Sequence, residues 1–272
     1  MNKINREQKN KKEIHKPFIT GDVTDESTLK RSLFFFGSLI VVILVAFIAC
    51  ASASFSNLLL RLLLNLAVIA LGLMIFFNNG SRHGTEAVTR GEILYQKKDK
   101  GQEISESEKK MCFHPAKGFV TALIGTAPFL VLAVILALNT SVQMTDSGTL
   151  PSWMQAYTRR SDIGNALINY TEPEGMTFID FVRMIIRICI IPFVNIVSYS
   201  DKNGMCLLER LSPIVLLLPA AAYGSGYLTG KSIRTKIHTA ISENDKRRIR
   251  KERKKKTNRN NSGHRRETEQ LN

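Results

Sequence analysis

Apolar and polar positions alternate in long blocks along this chain. Five apolar runs are separated by charged segments, and they occupy residues 33–49, 58–77, 119–138, 178–197 and 214–227. A run of about 20 apolar residues is long enough to cross the hydrocarbon core of a bilayer as a helix. The pattern predicts an all-α polytopic integral membrane protein built as a helical bundle.

The fourth run differs from the others because it contains Asp180, Arg183 and Arg187. A central Arg or Asp costs about 2.5 to 3.5 kcal/mol on insertion into a membrane. The charge-free part of this run, residues 188–200, covers only 13 positions, which is short for a span. The run therefore predicts a re-entrant or interfacial helix, and a fifth span is the alternative.

Helical periodicity makes this fourth segment amphipathic. At about 100° per residue, Asn195 falls on the same stripe as the three charged residues, and the rest of the surface is apolar. Pro192 favours a break or kink. We expect an amphipathic helix over residues 178–198 that either lies at the interface or points its polar stripe into the bundle.

The distribution of Lys and Arg distinguishes a four-span topology from a five-span topology. There are eight in residues 1–31, eight in residues 78–117 and 15 in residues 231–272. Cytoplasmic segments carry the excess of basic residues, yet five spans would place the two basic ends on opposite sides. Four spans leave 31 basic residues inside and six outside. The charges predict four full spans in the cell membrane, with both termini cytoplasmic.

This topology divides the chain into seven segments. They are a cytoplasmic polar tail (1–31), a tight transmembrane hairpin (32–77), a cytoplasmic loop (78–117), a third span (118–138), an external region containing helix 178–198 (139–210), a last span (211–230) and a basic cytoplasmic tail (231–272). Short surface helices are expected over residues 86–100 and 105–110. Beyond the last span, isoleucines every four residues predict a helical stalk, and the dense charge of residues 246–259 is typical of disordered or nascently helical chain.

The formal net charge is +15, and the last 42 residues supply ten of these charges. Basic residues near an anionic cytoplasmic leaflet each contribute roughly 1 kcal/mol of attraction. No nucleic-acid-binding motif accompanies the charge, so lipid rather than nucleic acid is the expected partner. The predicted headgroup contacts are Lys246, Arg247, Arg248, Arg250, Lys251, Arg253, Lys254, Lys255 and Lys256.

Two further sets of residues are candidates for packing and for transport. Small residues Gly224, Gly226 and Gly230 lie in the last span, and a GxxxG spacing lets two helices approach closely, either within the chain or between chains. In the second span, Arg61 either snorkels to the interface or begins a polar path. The residues of that path would be Arg61, Asn65, Asp180, Arg183, Arg187 and Asn195.

Cysteine and histidine spacing points to no catalytic, metal or cofactor site. The four cysteines form no CxxC pair, and His83 and His114 lie in no known catalytic motif. We therefore expect a non-enzymatic accessory or scaffold subunit of a membrane assembly, which binds a second copy or another membrane protein. The alternative is a transporter or channel component that uses the polar path.

Overall fold

The structure is a computed structural model that describes residues 15–52, 57–140, 177–197 and 201–269, with isolated positions 157, 160 and 162–164. The helices of these segments are α1 (Glu26–Ser52), α2 (Leu58–Asp99), α3 (Glu106–Lys110), α4 (Lys117–Asn139), α5 (Phe178–Cys189), α6 (Ile191–Val197) and α7 (Lys202–Glu269). Within these residues, a single bridge between Thr20 and Phe113 is the sole extended pairing.

Four helices, α1, α2, α4 and α7, are long and apolar enough to cross a membrane. Helix α5 has 12 residues and α6 has seven, so neither reaches spanning length. The all-helical fold and the four candidate spans are thus confirmed for the described part of the chain. This composition indicates an integral membrane protein.

Helices α2 and α7 cross with their backbones in direct contact. A Cβ added at Gly80 or Gly84 of α2 would strike the carbonyl oxygen of Tyr223 or Tyr227. A Cβ at Gly226 would strike the carbonyl oxygen of Phe77 on α2. Two GxxxG spacings therefore face each other inside one chain, since close approach in membranes requires residues without side chains.

The predicted tight hairpin of residues 32–77 is open. Helices α1 and α2 make few contacts with each other, although a short segment joins them. Helix α6 contacts both, and its Ile191 packs with Ala46, Cys50 and Val68. The short connection limits how far the two helix ends separate, but it does not oblige their sides to pack.

Helix α2 is longer than the hydropathy pattern predicts. It continues without a break to Asp99, whereas a second helix was expected to begin at residue 86. Buried Ala87 and Val88 explain the continuation, because they pack with Tyr227 and Phe113 beyond the apolar run. Helix α3 begins one residue after its predicted start and ends at the predicted residue.

Helix α7 also extends through residues 246–259, which were predicted to be disordered or nascently helical. Lys, Arg and Glu are good helix formers, and this stretch contains neither glycine nor proline. We call the end of the bundle that holds Asp25, Lys117 and Lys231 the basic end. The other end holds Asn57 and Thr140.

Candidate functional site

A capping box starts helix α5. The Thr177 hydroxyl accepts a hydrogen bond from the backbone N–H of Asp180 (3.3 Å), and the Asp180 carboxylate accepts one from the backbone N–H of Thr177 (3.2 Å). This reciprocal pair satisfies two donors that a helix N-terminus would otherwise leave open. Asp180 also pairs with Arg183 one turn later, at 2.7 Å.

One face of α5 and α6 is buried in the bundle. Val182, Ile186, Ile190 and Val194 are each at most 2% exposed. They pack against α4 and α7, where the contacting buried residues are Ala133, Leu136, Met205, Leu208 and Leu216. This packing brings the charged stripe of α5 toward α7.

The stripe meets Glu209 of α7, whose carboxylate has four polar contacts. Arg183 Nε donates to Oε2 (3.1 Å), Arg187 Nε donates to Oε1 (2.8 Å), and Arg187 also approaches Oε1 through Nη2 (2.6 Å). The Thr140 hydroxyl at the end of α4 donates to Oε2 (3.1 Å). We call Thr140, Asp180, Arg183, Arg187 and Glu209 the Glu209 cluster.

Burial and charge balance characterise this cluster. The side chains of Arg183 and Glu209 are 6% and 2% exposed, while that of Arg187 is 23% exposed. Two carboxylates face two guanidinium groups, so the formal charges cancel. A buried charge is tolerated when it is paired and hydrogen-bonded, and each member of this cluster meets that condition.

Glu209 was not among the residues predicted for the site. It falls between Leu208 and Arg210 at the edge of the last apolar run, where it was assigned to the external region. The available signal was the charge of α5, because Asp180 neutralises only one of its two arginines.

A second polar group involves Cys50, Asn65 and Asn195. Asn65 is 1% exposed, and its side-chain amide donates to the backbone carbonyl of Arg61 (2.7 Å). The Cys50 thiol donates to Asn65 Oδ1 (3.3 Å) and also lies within hydrogen-bonding reach of Asn195. The residues of the predicted path thus fall into two groups, with Arg61 contributing its backbone to the second.

At the basic end, an ion pair joins the starts of α1 and α4. Lys117 Nζ lies 2.8 Å from Asp25 Oδ2, and both side chains are 1% exposed. Lys117 also donates to the carbonyl of Lys110 (2.7 Å). Burial disfavours the Asp25 carboxylate, but hydrogen bonds from Lys117, Thr28 and Ser27 outweigh it and lower its pKa to about 2.

The predicted packing and headgroup residues also have defined places. Gly224 lies against the ring of Phe119 on α4, and Gly230 lies against the backbone of Gly84 on α2. Lys246, Arg247, Arg248, Arg250, Lys251, Arg253 and Lys254 are exposed on α7. Lys255 and Lys256 belong to the same helix, and their side chains lie outside the described residues.

An apolar groove of about 810 Å³ runs between α1 and α2. Its lining includes the apolar side chains of Val41, Val45 and Leu71 together with several small residues. A Cβ added at Gly37, which is exposed, would meet no atom within 4 Å. We call this surface the α1–α2 groove, lined by Leu33, Phe34, Gly37, Ser38, Val41, Val42, Val45, Ala46, Ala49, Val68, Leu71, Gly72 and Ile75.

Searches with this chain against family models, curated proteins and solved structures produced no significant match. Within the described residues, no three His, Cys, Asp or Glu side chains group as metal ligands.

Proposed function

We propose that this protein is a non-enzymatic accessory or scaffold subunit of a membrane assembly, and that the α1–α2 groove receives a transmembrane helix of its partner. The observation that carries the proposal is Gly37. Glycine inside a helix costs roughly 1 kcal/mol relative to alanine. Such a residue calls for a packing reason, and a neighbouring helix supplies one.

Glycines elsewhere in the bundle lie against atoms of the chain itself. At the α2–α7 crossing, the backbone of the opposite helix occupies the space that a side chain at Gly84 or Gly226 would need. The packing of this chain itself therefore explains these two glycines. Gly37 has no such neighbour within the described residues. It lines the groove together with the small residues Ala49 and Gly72, and small residues let a helix from another chain approach closely.

The Glu209 cluster supports a structural role for α5. Its charges cancel, and its members hold α5 against α4 and α7 through short hydrogen bonds. The alternative is a transporter or channel component. Its support is Arg187, whose side chain is more exposed than that of Arg183. The division of the predicted path into two polar groups favours the scaffold.

In the proposed topology, four helices span the cell membrane and both termini are cytoplasmic. Residues 246–256 of α7 lie on the anionic cytoplasmic leaflet. Helices α5 and α6 form a re-entrant pair that enters and leaves at the end of the bundle opposite to the basic end. Support comes from the buried face of α5 and from the 31 basic residues that this arrangement places on one side.

Site-specific photocrosslinking in native membranes tests the groove. A photoreactive amino acid at Val41, which lines the groove and is 59% exposed, should crosslink to a discrete polypeptide. The same amino acid at Leu44, which is 53% exposed outside the groove, should crosslink to lipid. A polypeptide of this chain's own mass would identify a second copy as the partner, and lipid adducts at both positions would overturn the proposal.

A matched pair of substitutions separates docking from folding. Gly37→Leu places an apolar side chain in the groove and should abolish the Val41 crosslink, while the bundle keeps its thermal stability because a Cβ at position 37 meets no atom of the described residues within 4 Å. Ile40→Phe enlarges α1 outside the groove and should leave the crosslink intact. Equal loss of the crosslink in both variants would contradict a specific contact at the groove.

A further inference from the structure

A cavity of about 500 Å³ opens at the basic end, where α2 and α7 continue beyond their apolar runs. Residues 15–18 form one wall, and the two helices form the others. It is separate from the α1–α2 groove and from the Glu209 cluster. Its lining residues are His15, Lys16, Pro17, Phe18, Val88, Glu92, Lys231, Arg234, Thr235 and His238.

The floor of this cavity is a fixed polar arrangement. Glu92 is 6% exposed and accepts a hydrogen bond from Arg234 Nε (2.8 Å), and its other oxygen lies 2.7 Å from His238 Nε2. The Thr235 hydroxyl lies 3.3 Å from His15 Nδ1. Because Glu92 engages Arg234 only through Nε, the two terminal nitrogens of the guanidinium still have donors to offer.

Cations outnumber carboxylates around the cavity. Lys16, Lys231 and Arg234 face a single acid, Glu92. Lys16 and Lys231 form no ion pair within the described part of the chain, whereas Arg234 and His238 both pair with Glu92. Lys231 Nζ lies 5.7 Å from the centre of the Phe18 ring, a cation–π contact that orients the ammonium group at the rim. The excess of positive charge around the cavity therefore favours binding of an anion.

We propose that this cavity binds a phosphate monoester, with Lys16, Lys231 and the terminal nitrogens of Arg234 contacting the phosphoryl group. A dianionic phosphoryl group matches two ammonium groups and a guanidinium fork, which are the usual donors to phosphate. The volume lies within the range of small-molecule sites and exceeds what a bare phosphate fills. Phe18, Pro17 and Val88 provide an apolar wall for the rest of the ligand.

Two sources could supply this chemistry. Lys231 follows the last apolar run by four residues, so the headgroup of a lipid phosphomonoester lies within reach of the rim. A soluble phosphomonoester would enter from the aqueous side. The phosphoryl contacts are the same in both cases, so the experiment has one arm for each source.

The full-length protein in detergent is titrated with AMP, with adenosine as the control that lacks the phosphate. In parallel, nanodiscs of phosphatidylcholine with or without phosphatidic acid are analysed by native mass spectrometry for lipid bound to each chain. One molecule of AMP per chain identifies a soluble ligand, and one retained phosphatidic acid identifies a lipid headgroup. Saturation with neither probe overturns the proposal.

Charge-matched variants exclude general attraction to the basic tail. Lys231→Gln and Lys16→Gln each remove a charged contact at the exposed rim and should weaken binding about tenfold. Lys236→Gln removes the same charge from α7 outside the cavity lining and should change affinity less than about twofold. Equal effects of Lys231→Gln and Lys236→Gln would contradict a defined pocket. Both rim lysines are exposed, so these variants leave the Glu92 pairing in place.

Discussion

Glu209 is the residue on which the charge balance of α5 depends. Its side chain is 2% exposed and pairs with two arginines from one helix. Replacing it with Gln keeps the shape but removes the charge, which leaves Arg183 buried and under-compensated. Removing one partner of a buried ion pair typically costs about 3–5 kcal/mol. Glu209→Gln should therefore lower the free energy of unfolding in detergent by about 3 kcal/mol.

The matched control is Asp162→Asn. Asp162 pairs with Arg160 at a similar distance, 2.8 Å, but both side chains are more than half exposed. Exposed pairs contribute less than about 1 kcal/mol, because solvent screens them. If the two variants unfold at the same temperature, the Glu209 cluster is solvated and the assigned structural role of α5 is wrong.

Asp25 makes the stability of the basic end depend on pH. Its pKa is lowered from 3.8 to about 2, so its contribution is fully present above pH 4 and is lost as the pH falls toward 2. Asp25→Asn should reduce the free energy of unfolding at pH 7 by about 2 kcal/mol. Thermal unfolding of both proteins across this pH range should show the difference closing below pH 4. A constant difference down to pH 2 would contradict the ionised pair, and Asp22→Asn at an exposed position is the control.

Periodicity indicated which charged residues of the fourth run share one face. The 100° rule placed Asp180, Arg183 and Arg187 on one stripe, and the structure brings these three together. Glu209 was missed because it is 22 residues from Arg187 in sequence, and hydropathy does not indicate which helix faces the stripe. Local pattern defines a face, whereas the partner of that face is set by tertiary packing.

At the level of helices, the close α2–α7 crossing depends on glycines at the contact. Gly84→Ala introduces a Cβ that meets the backbone of Tyr227, so the helices must separate. Forcing atoms into a packed contact costs about 1–3 kcal/mol. The reverse holds at Gly37, where Ala meets no atom and gains helix propensity of up to about 1 kcal/mol. Thermal unfolding of the purified protein should rank Gly37→Ala at or above wild type and Gly84→Ala clearly below it.

Helix identity was more predictable than helix packing. The apolar runs located α1, α2, α4 and α7, which are the candidate spans, and α5 and α6 of the charged fourth run are not among these candidates. The Gly80 and Gly84 spacing was missed because both residues lie in a polar stretch, where glycine suggests a break in a helix rather than a contact. The open α1–α2 arrangement was also missed, because a short loop constrains only the helix ends.

For the whole molecule, the charge distribution and the four candidate spans lead to a specific labelling pattern. In a variant whose cysteines are replaced by serine, single cysteines are placed at Asn203, Gln102 and Asn244, which are all exposed. A membrane-impermeant maleimide added to intact cells should label Asn203→Cys alone, because four spans place it outside and both other positions inside. Gln102→Cys and Asn244→Cys should react only after permeabilisation. Labelling of position 244 but not of positions 203 and 102 in intact cells would mean that α5 and α6 cross the membrane as a fifth span. Labelling of positions 102 and 244 without position 203 would mean that the basic residues do not set the orientation.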